Sequence, residues 1–224
     1  AMHCLLLALT PRGANPATAP RVRHIGGYFE TEELLAMLAG HGMIRELPKQ
    51  SDEPADVLIV EPVYFDRAGR AHIADVADAL RRHAVSAAGM PSLAILDTTL
   101  LGPHCDLEAL LPLPAGDEPA PLLVRLSSGL KLDQAGLELA NVGIVSLYRR
   151  ASQDYGHTDL TEKLRKARTL TGAGLGFDAI GTLEAPWFLD REISRRYTAA
   201  VLDNNARLAR RLSECTGLFS LVSH

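Results

Sequence analysis

The sequence predicts an α/β fold: three layers, with a mostly parallel sheet and helices on both faces. Two observations carry this. Short apolar runs alternate with stretches of helical periodicity, the pattern of successive βαβ units. Glu61, Asp97 and Lys131 each follow such a run or the turn beyond it, at intervals of about 35 residues, close to one βαβ unit at roughly 30 residues or more. In an open parallel sheet the carboxyl ends of the strands border the ligand crevice. An acid, a second acid and a lysine at three successive strand ends therefore mark one sheet edge as a candidate site.

The elements follow in order. Met2–Leu9 reads as a helix that ends near Pro11 and Gly13. Ala14–Arg23, rich in Pro and Ala, reads as a loop, and Gly26-Gly27-Tyr28 as a turn presenting an aromatic ring. Thr31 is the expected N-cap of a helix over Glu32–Ala39, with Glu32 and Glu33 in its first turn and Gly40 and Gly42 at its end. Arg45–Pro54 reads as polar linker. Asp56–Val60, with its V-L-I-V run, reads as a buried parallel strand ending at Glu61-Pro62. His72–His83 shows helical spacing through Ile73, Val76, Ala77 and Leu80. Ser92–Leu96 is a second strand, ending at Asp97, and Asp106–Leu111 a short helix. Leu122–Leu126 is a third strand, running toward Lys131, and Val142–Tyr148 a fourth. Leu160–Leu170 and Arg191–Leu212 are helices, with Trp187-Phe188-Leu189 as an apolar corner between them. Leu218–His224 begins a further strand.

A chain of 224 residues fits one sizeable α/β domain, or one domain with a small appendage. We expect residues 1–213 to form the large domain and 214–224 to begin a second, smaller one, both ends reading as cuts through a longer protein. The formal net charge of −4 leaves no basic footprint for nucleic acid. No apolar run is long enough to span a bilayer, and the apolar start is too short for a secretory leader. Cys4, Cys105 and Cys215 are an odd set without metal-ligand spacing, which fits a reduced, cytoplasmic setting.

The candidate chemistry centres on L-L-V-R-L-S-S-G-L-K-L-D-Q, residues 122–134. Lys131 lies between Leu130 and Leu132, whereas Lys49, Lys163 and Lys166 lie in polar surroundings. An ammonium among leucines is costly to desolvate, and the free amine is then a usable nucleophile. Lys131 thus reads as a lysine that forms a Schiff base with pyridoxal phosphate; the plainer alternative is a solvated lysine whose stem packs on leucines. Asp97, in L-D-T-T-L-L-G-P, can hold a pyridine nitrogen protonated and so make the ring an electron sink, or it can simply cap a turn. Ser128 can donate to a phosphate or shape the turn with Gly129. Tyr28 can stack on a flat ring or pack in its loop. Glu61 is a second acid near the cofactor or only a strand-end carboxylate. The first helix, starting at Ala1 and Met2, offers free N–H groups to a phosphate. The histidines are scattered, so no metal site is expected. The G-A-G-L-G stretch at residues 172–176 follows a helix and not a strand, so it is not a dinucleotide loop.

Together these stretches resemble a known group. The order A-M, G-G-Y-F-E-T, V-L-I-V-E-P, L-D-T-T-L-L-G-P, S-S-G-L-K is similar to the cystathionine γ-synthase / methionine γ-lyase group of pyridoxal-phosphate enzymes, of fold type I, over nearly all of the chain. That group shows S-G-M-A, Y-G-x-T, E-[ST]-P-x-N-P, D-N-T-x-x-x-P and S-x-T-K. The resemblance implies that Lys131 carries the cofactor, Asp97 partners its pyridinium and Tyr28 stacks on its ring. It implies that Ser128 and the Ala1–Met2 amides hold its phosphate and that Glu61 is the acid after the preceding strand. The implied cofactor-binding set is Lys131, Asp97, Ser128, Tyr28, Ala1, Met2, Glu61 and Thr99, with Lys131 and Tyr28 catalytic. Several positions depart from the group. Leu130 stands for its phosphate-binding threonine, Thr98 for asparagine, and Phe65 near an expected asparagine. Phe29 and Glu30 follow Tyr28 in place of the usual glycine. Asp133-Gln134 lies where a glycine-histidine pair is usual.

The implied activity is a lyase that cleaves carbon–sulfur bonds, or a γ-replacement enzyme, acting on a cysteine- or cystathionine-like amino acid in a homodimer or homotetramer. A divergent member of this kind fits a lyase domain in a natural-product assembly line. A degenerate scaffold without catalysis and an aminotransferase of the same fold are the alternatives.

Overall fold

The computed structural model describes residues 1–9, 18–66, 70–86, 93–102, 105–107, 122–148, 157–188 and 190–214. At its centre is a six-stranded sheet built from β1 (Arg21–Ile25), β2 (Arg45–Leu47), β3 (Val57–Val60), β6 (Leu93–Asp97), β7 (Leu122–Ser128) and β8 (Gly143–Tyr148), in the order β2-β1-β3-β6-β7-β8. The first five strands run parallel and β8 is antiparallel to β7. β4 (Val63–Phe65) and β5 (Ala71–Ile73) form a separate antiparallel hairpin. The helices are α1 (Met2–Leu9), α2 (Phe29–Gly40), α3 (Val76–Ser86), α4 (His157–Leu170), α5 (Phe177–Leu183) and α6 (Arg191–Glu214).

Alternation along the strands makes the layers. Val22, Val57, Ile59, Leu93, Ile95, Leu122, Val124 and Leu126 face one side and bury against α1, α2 and α4 through Leu5, Leu6, Leu35, Leu38 and Leu160. Leu58, Val60 and Leu96 face the other side and meet Val76 and Ala79 of α3. The expected three-layer, mostly parallel architecture is what the chain adopts. The strands expected at Asp56–Val60 and Ser92–Leu96 form as β3 and β6, whose Val57–Val60 and Leu93–Leu96 are buried on both faces, so their apolar runs are uninterrupted. The strand expected at Leu122–Leu126 forms as β7, where Leu123 and Arg125 are only half-buried.

Several boundaries differ from expectation. The stretch expected as loop ends in strand β1, because its charged residues find partners only in the fold. Arg21 makes a two-pronged pair with Asp56, at 2.8 and 3.0 Å, and His24 bonds Glu61. The expected Arg45–Pro54 linker contains β2, three residues long with only Leu47 buried, too short to leave a pattern. The expected His72–His83 helix is a strand at its start. The helix begins at Val76, where Asp75 accepts the Asp78 amide at 2.9 Å as a helix cap. Thr31 is not the N-cap of α2: that helix opens at Phe29, after Tyr28, and Thr31 is buried. The helix α5 was not expected. Gly172 ends α4 in the left-handed region (φ 65°), with Ala173 N–H bonding Arg168 O and Gly172 N–H bonding Thr169 O, a Schellman turn. Most of the helix expected at Asp106–Leu111 and the strand expected at Leu218–His224 lie outside the described residues.

Candidate active site

The parallel sheet ends in a row of turns, and these carry the candidate residues. Strand β6 delivers Asp97 at its carboxyl end, and the turn beyond is fastened to β7. Thr98 N–H bonds Leu126 O at 2.8 Å, and the Thr99 hydroxyl oxygen accepts the Ser128 amide at 3.0 Å. The Asp97 carboxylate accepts the Thr99 amide at 3.0 Å. Burial is the main influence on Asp97 and raises its pKa above the usual carboxylate range, the Glu61 charge adding to this. The Thr99 hydrogen bonds and the Lys131 charge oppose it and lose.

Lys131 follows the Ser127-Ser128-Gly129 turn at the end of β7. Its Nζ donates to the Tyr28 hydroxyl at 3.4 Å and sits 4.8 Å from the centre of the Tyr28 ring. Burial, followed by the nearby Glu30 carboxylate, pushes the Tyr28 phenol up to about 12.

Glu61, expected among the cofactor-binding residues, makes its hydrogen bonds to the turn that carries Tyr28 and to His24. It is 4 % exposed and faces the backbone of the Gly26-Gly27-Tyr28 turn: Oε2 accepts the Gly27 amide at 2.8 Å and the Tyr28 amide at 3.0 Å. Oε1 bonds His24 Nε2 at 2.9 Å. Burial alone would raise the Glu61 carboxyl, but these hydrogen bonds outweigh it and hold the group below its ordinary range. The turn is tight enough to require glycine: a Cβ on Gly26 would lie 2.3 Å from His24 Nε2.

Two adjoining cavities collect these groups. One is lined by Tyr28, Glu61, Val63, Asp97, Thr99, Leu100 and Lys131. The other, about 430 Å³, is lined by Ala1, Met2, Tyr28, Asp97, Thr99, Ser128 and Lys131 among others. All eight residues singled out in the sequence thus border one cleft at the carboxyl edge of the sheet. Sequence reasoning passed over His24, whose partner Glu61 lies in another strand connection, and Gln134, whose partners are all backbone groups.

No protein-family model matches the sequence, and no curated protein matches it. Among solved structures the chain is similar to a cystathionine γ-synthase from Xanthomonas oryzae pv. oryzae in complex with aminoacrylate and cysteine. The identity is 18 % and the TM-score 0.55, over 100 % of this chain and 50 % of that one. The same enzyme in complex with cystathionine aligns at 18 % identity and a TM-score of 0.52 over the same shares. A mitochondrial aspartate aminotransferase from Trypanosoma brucei aligns at 13 % identity and a TM-score of 0.50, over 97 % of this chain and 60 % of that one. The chain spans about half the length of the synthase it resembles. At these identities the likeness is one of fold: a mostly parallel sheet between helical layers, shared with the synthase and the aminotransferase.

Proposed function

We propose that the protein is a pyridoxal-phosphate enzyme of the carbon–sulfur lyase or γ-replacement kind, acting on a sulfur-containing amino acid. The observation that carries this reading is the shared cleft. An amine (Lys131), a carboxylate (Asp97) and an aromatic ring (Tyr28) border it, with Ser128 and the start of α1 at one end. The donor set fits the cofactor. Asp97 is a carboxylate raised by burial whose hydrogen bonds come from Thr99, and among the described residues it makes no ion pair. A protonated ring nitrogen is the kind of group that would relieve it. The amides opening α1 and the Ser128 hydroxyl suit a phosphate, although Leu130 stands where a threonine would help. The fold shared with the synthase and the aminotransferase supports the same reading.

When bound, pyridoxal phosphate supplies the electron sink that lets the α-proton of an amino acid leave and a β- or γ-substituent, here sulfur, depart. Asp97 would hold a proton on the ring nitrogen of the bound cofactor. The Tyr28 ring offers a stacking face, and its phenol, raised to about 12, stays protonated at neutral pH and donates. The Lys131 amine, beside that phenol, takes the α-proton and returns it. Glu61 and His24 keep the Tyr28 turn in position from beneath.

The full-length protein, supplied with pyridoxal phosphate, is expected to gain a visible absorbance band that Lys131→Ala removes; an unchanged band in the variant refutes the assignment. Release of sulfide, thiol or ammonia from cysteine or cystathionine identifies the lyase. Accumulation of pyridoxamine phosphate on adding an amino acid would instead identify an aminotransferase. A retained cofactor without any product would identify a scaffold.

A further inference from the structure

We infer that Gln134 is a positioning residue, which closes the loop carrying Lys131 and aims the Lys131 amine into the cleft. The inference rests on the proposed pyridoxal-phosphate reading. Gln134 is 0 % exposed. Its Nε2 donates to Gly129 O at 2.7 Å and to Ala140 O at 2.5 Å, and its Oε1 accepts the Ala140 amide at 2.8 Å. One carboxamide therefore ties the point where the chain leaves β7 to the point where it turns back toward β8. Both of its N–H groups and its oxygen are used, as a buried amide requires.

The loop it closes needs such a tie. Lys131 is followed by a single 3₁₀ turn over Leu132–Gln134, and then by Ala135 (φ 48°) and Glu138 (φ 51°), both in the left-handed region that residues with a side chain seldom adopt. Conformations of this kind persist only where the surroundings over-determine them. Two further contacts seat the loop. Leu132 packs against Gly102, where a Cβ would lie 2.6 Å from Leu132 Cδ1, and Gly136 lies against the Tyr197 hydroxyl of α6. Gly102 belongs to the turn that follows Asp97, with its N–H on Thr98 O. Leu132 thus sets the height of the lysine loop against the aspartate turn, and Gln134 sets its closure.

The test uses the full-length protein and the dissociation constant of pyridoxal phosphate. Gln134→Met keeps length and bulk but removes the three hydrogen bonds. It is expected to weaken cofactor binding about tenfold when Lys131 is present, and less than about twofold in the Lys131→Ala background. A residue that only supports the fold would weaken both alike, so equal losses, or none, overturn the inference. If Gln134→Met does not fold, Gln134→Glu serves instead, because a protonated carboxyl can again donate to one of the two carbonyls. Its deficit relative to the unchanged protein is expected to shrink about threefold or more between about pH 8 and about pH 5.5; a constant deficit overturns the inference. Failure of the unchanged protein to bind pyridoxal phosphate would remove the underlying reading and this inference with it. Normal binding that Gln134 variants leave untouched would remove this inference alone.

Discussion

Glu61 holds Tyr28 by its backbone, not by its ring: Oε2 takes the Tyr28 amide at 3.0 Å while the phenol points away to Lys131. The carboxylate is therefore a stability element whose loss displaces a candidate catalytic side chain. Glu61→Ala leaves the Gly27 and Tyr28 amides and His24 without their acceptor, and the expected loss is about 3 kcal/mol, as for stranded buried donors. The pH dependence follows from the lowered folded-state pKa. A carboxyl held below its ordinary value contributes stability that is complete above the unfolded value, about 4.3. That stability is lost as pH falls through the folded value. Denaturation curves between pH 5 and pH 2 should be flatter for Glu61→Gln than for the unchanged protein, and parallel curves would remove the argument.

Tyr28→Phe separates stacking from proton transfer. The ring face survives, while the 3.4 Å contact to Lys131 Nζ is lost. Cofactor affinity is expected to change little and turnover to fall about 100-fold, the low end of general acid–base contributions. Because the phenol is raised to about 12, the activity of the unchanged protein should show no Tyr28 ionisation on the alkaline side up to about pH 10. Steady-state kinetics on both proteins across that range decides the point.

The parts of the fold that could be read from the sequence are those whose signals are local. β3 and β6 are apolar runs buried on both faces, β7 is a mostly apolar run broken by Arg125, and the interval between their ends places Glu61, Asp97 and Lys131 on one edge. β1 was hidden because R-V-R-H-I looks solvated until Asp56 and Glu61 arrive from elsewhere in the chain to pair with Arg21 and His24. Tertiary partners of this kind override local pattern. Gln134 was hidden for the same reason in a different form. Its partners are the carbonyls of Gly129 and Ala140 and one amide, and backbone groups carry no residue identity.

His83 is expected to make the protein acid-sensitive in a window above that of Glu61. It is 1 % exposed, on α3 behind β6. Burial chiefly, with the Arg23 charge, lowers its pKa to about 4, against a hydrogen bond to the Leu93 backbone. Its unfolded value is about 6.5. A base whose folded value is depressed gives full stability above the unfolded value and loses it as pH falls toward the folded one. The melting temperature should therefore drop between about pH 6.5 and about pH 4, with a slope of at most about 1.4 kcal/mol per pH unit from this group. His83→Leu should flatten that segment and leave the Glu61 segment below it. If the segment survives in the variant, another group is responsible.

Asp97 presents the opposite balance, in which the proposed activity is held at the expense of stability. Its carboxyl is raised by burial, and the other influences on it are Thr99, the Glu61 charge and, least, the Lys131 charge. A carboxyl raised in the folded state binds its proton more tightly there than when unfolded. Ionising it at neutral pH therefore opposes folding, and the opposition disappears as pH falls through the folded value. Asp97→Asn keeps the shape and an oxygen for the Thr99 amide while removing the charge. In the absence of pyridoxal phosphate the variant should be the more stable protein at pH 7. A relief of about 1 kcal/mol corresponds to roughly 2–4 °C in melting temperature for a chain of this size. With pyridoxal phosphate present the order should reverse, because the carboxylate that destabilises the cleft without cofactor is the group proposed to hold the proton on the ring nitrogen. Thermal melts of both proteins, with and without pyridoxal phosphate, read the two effects separately. A variant less stable in both conditions would mean that Asp97 serves the turn and not the cofactor.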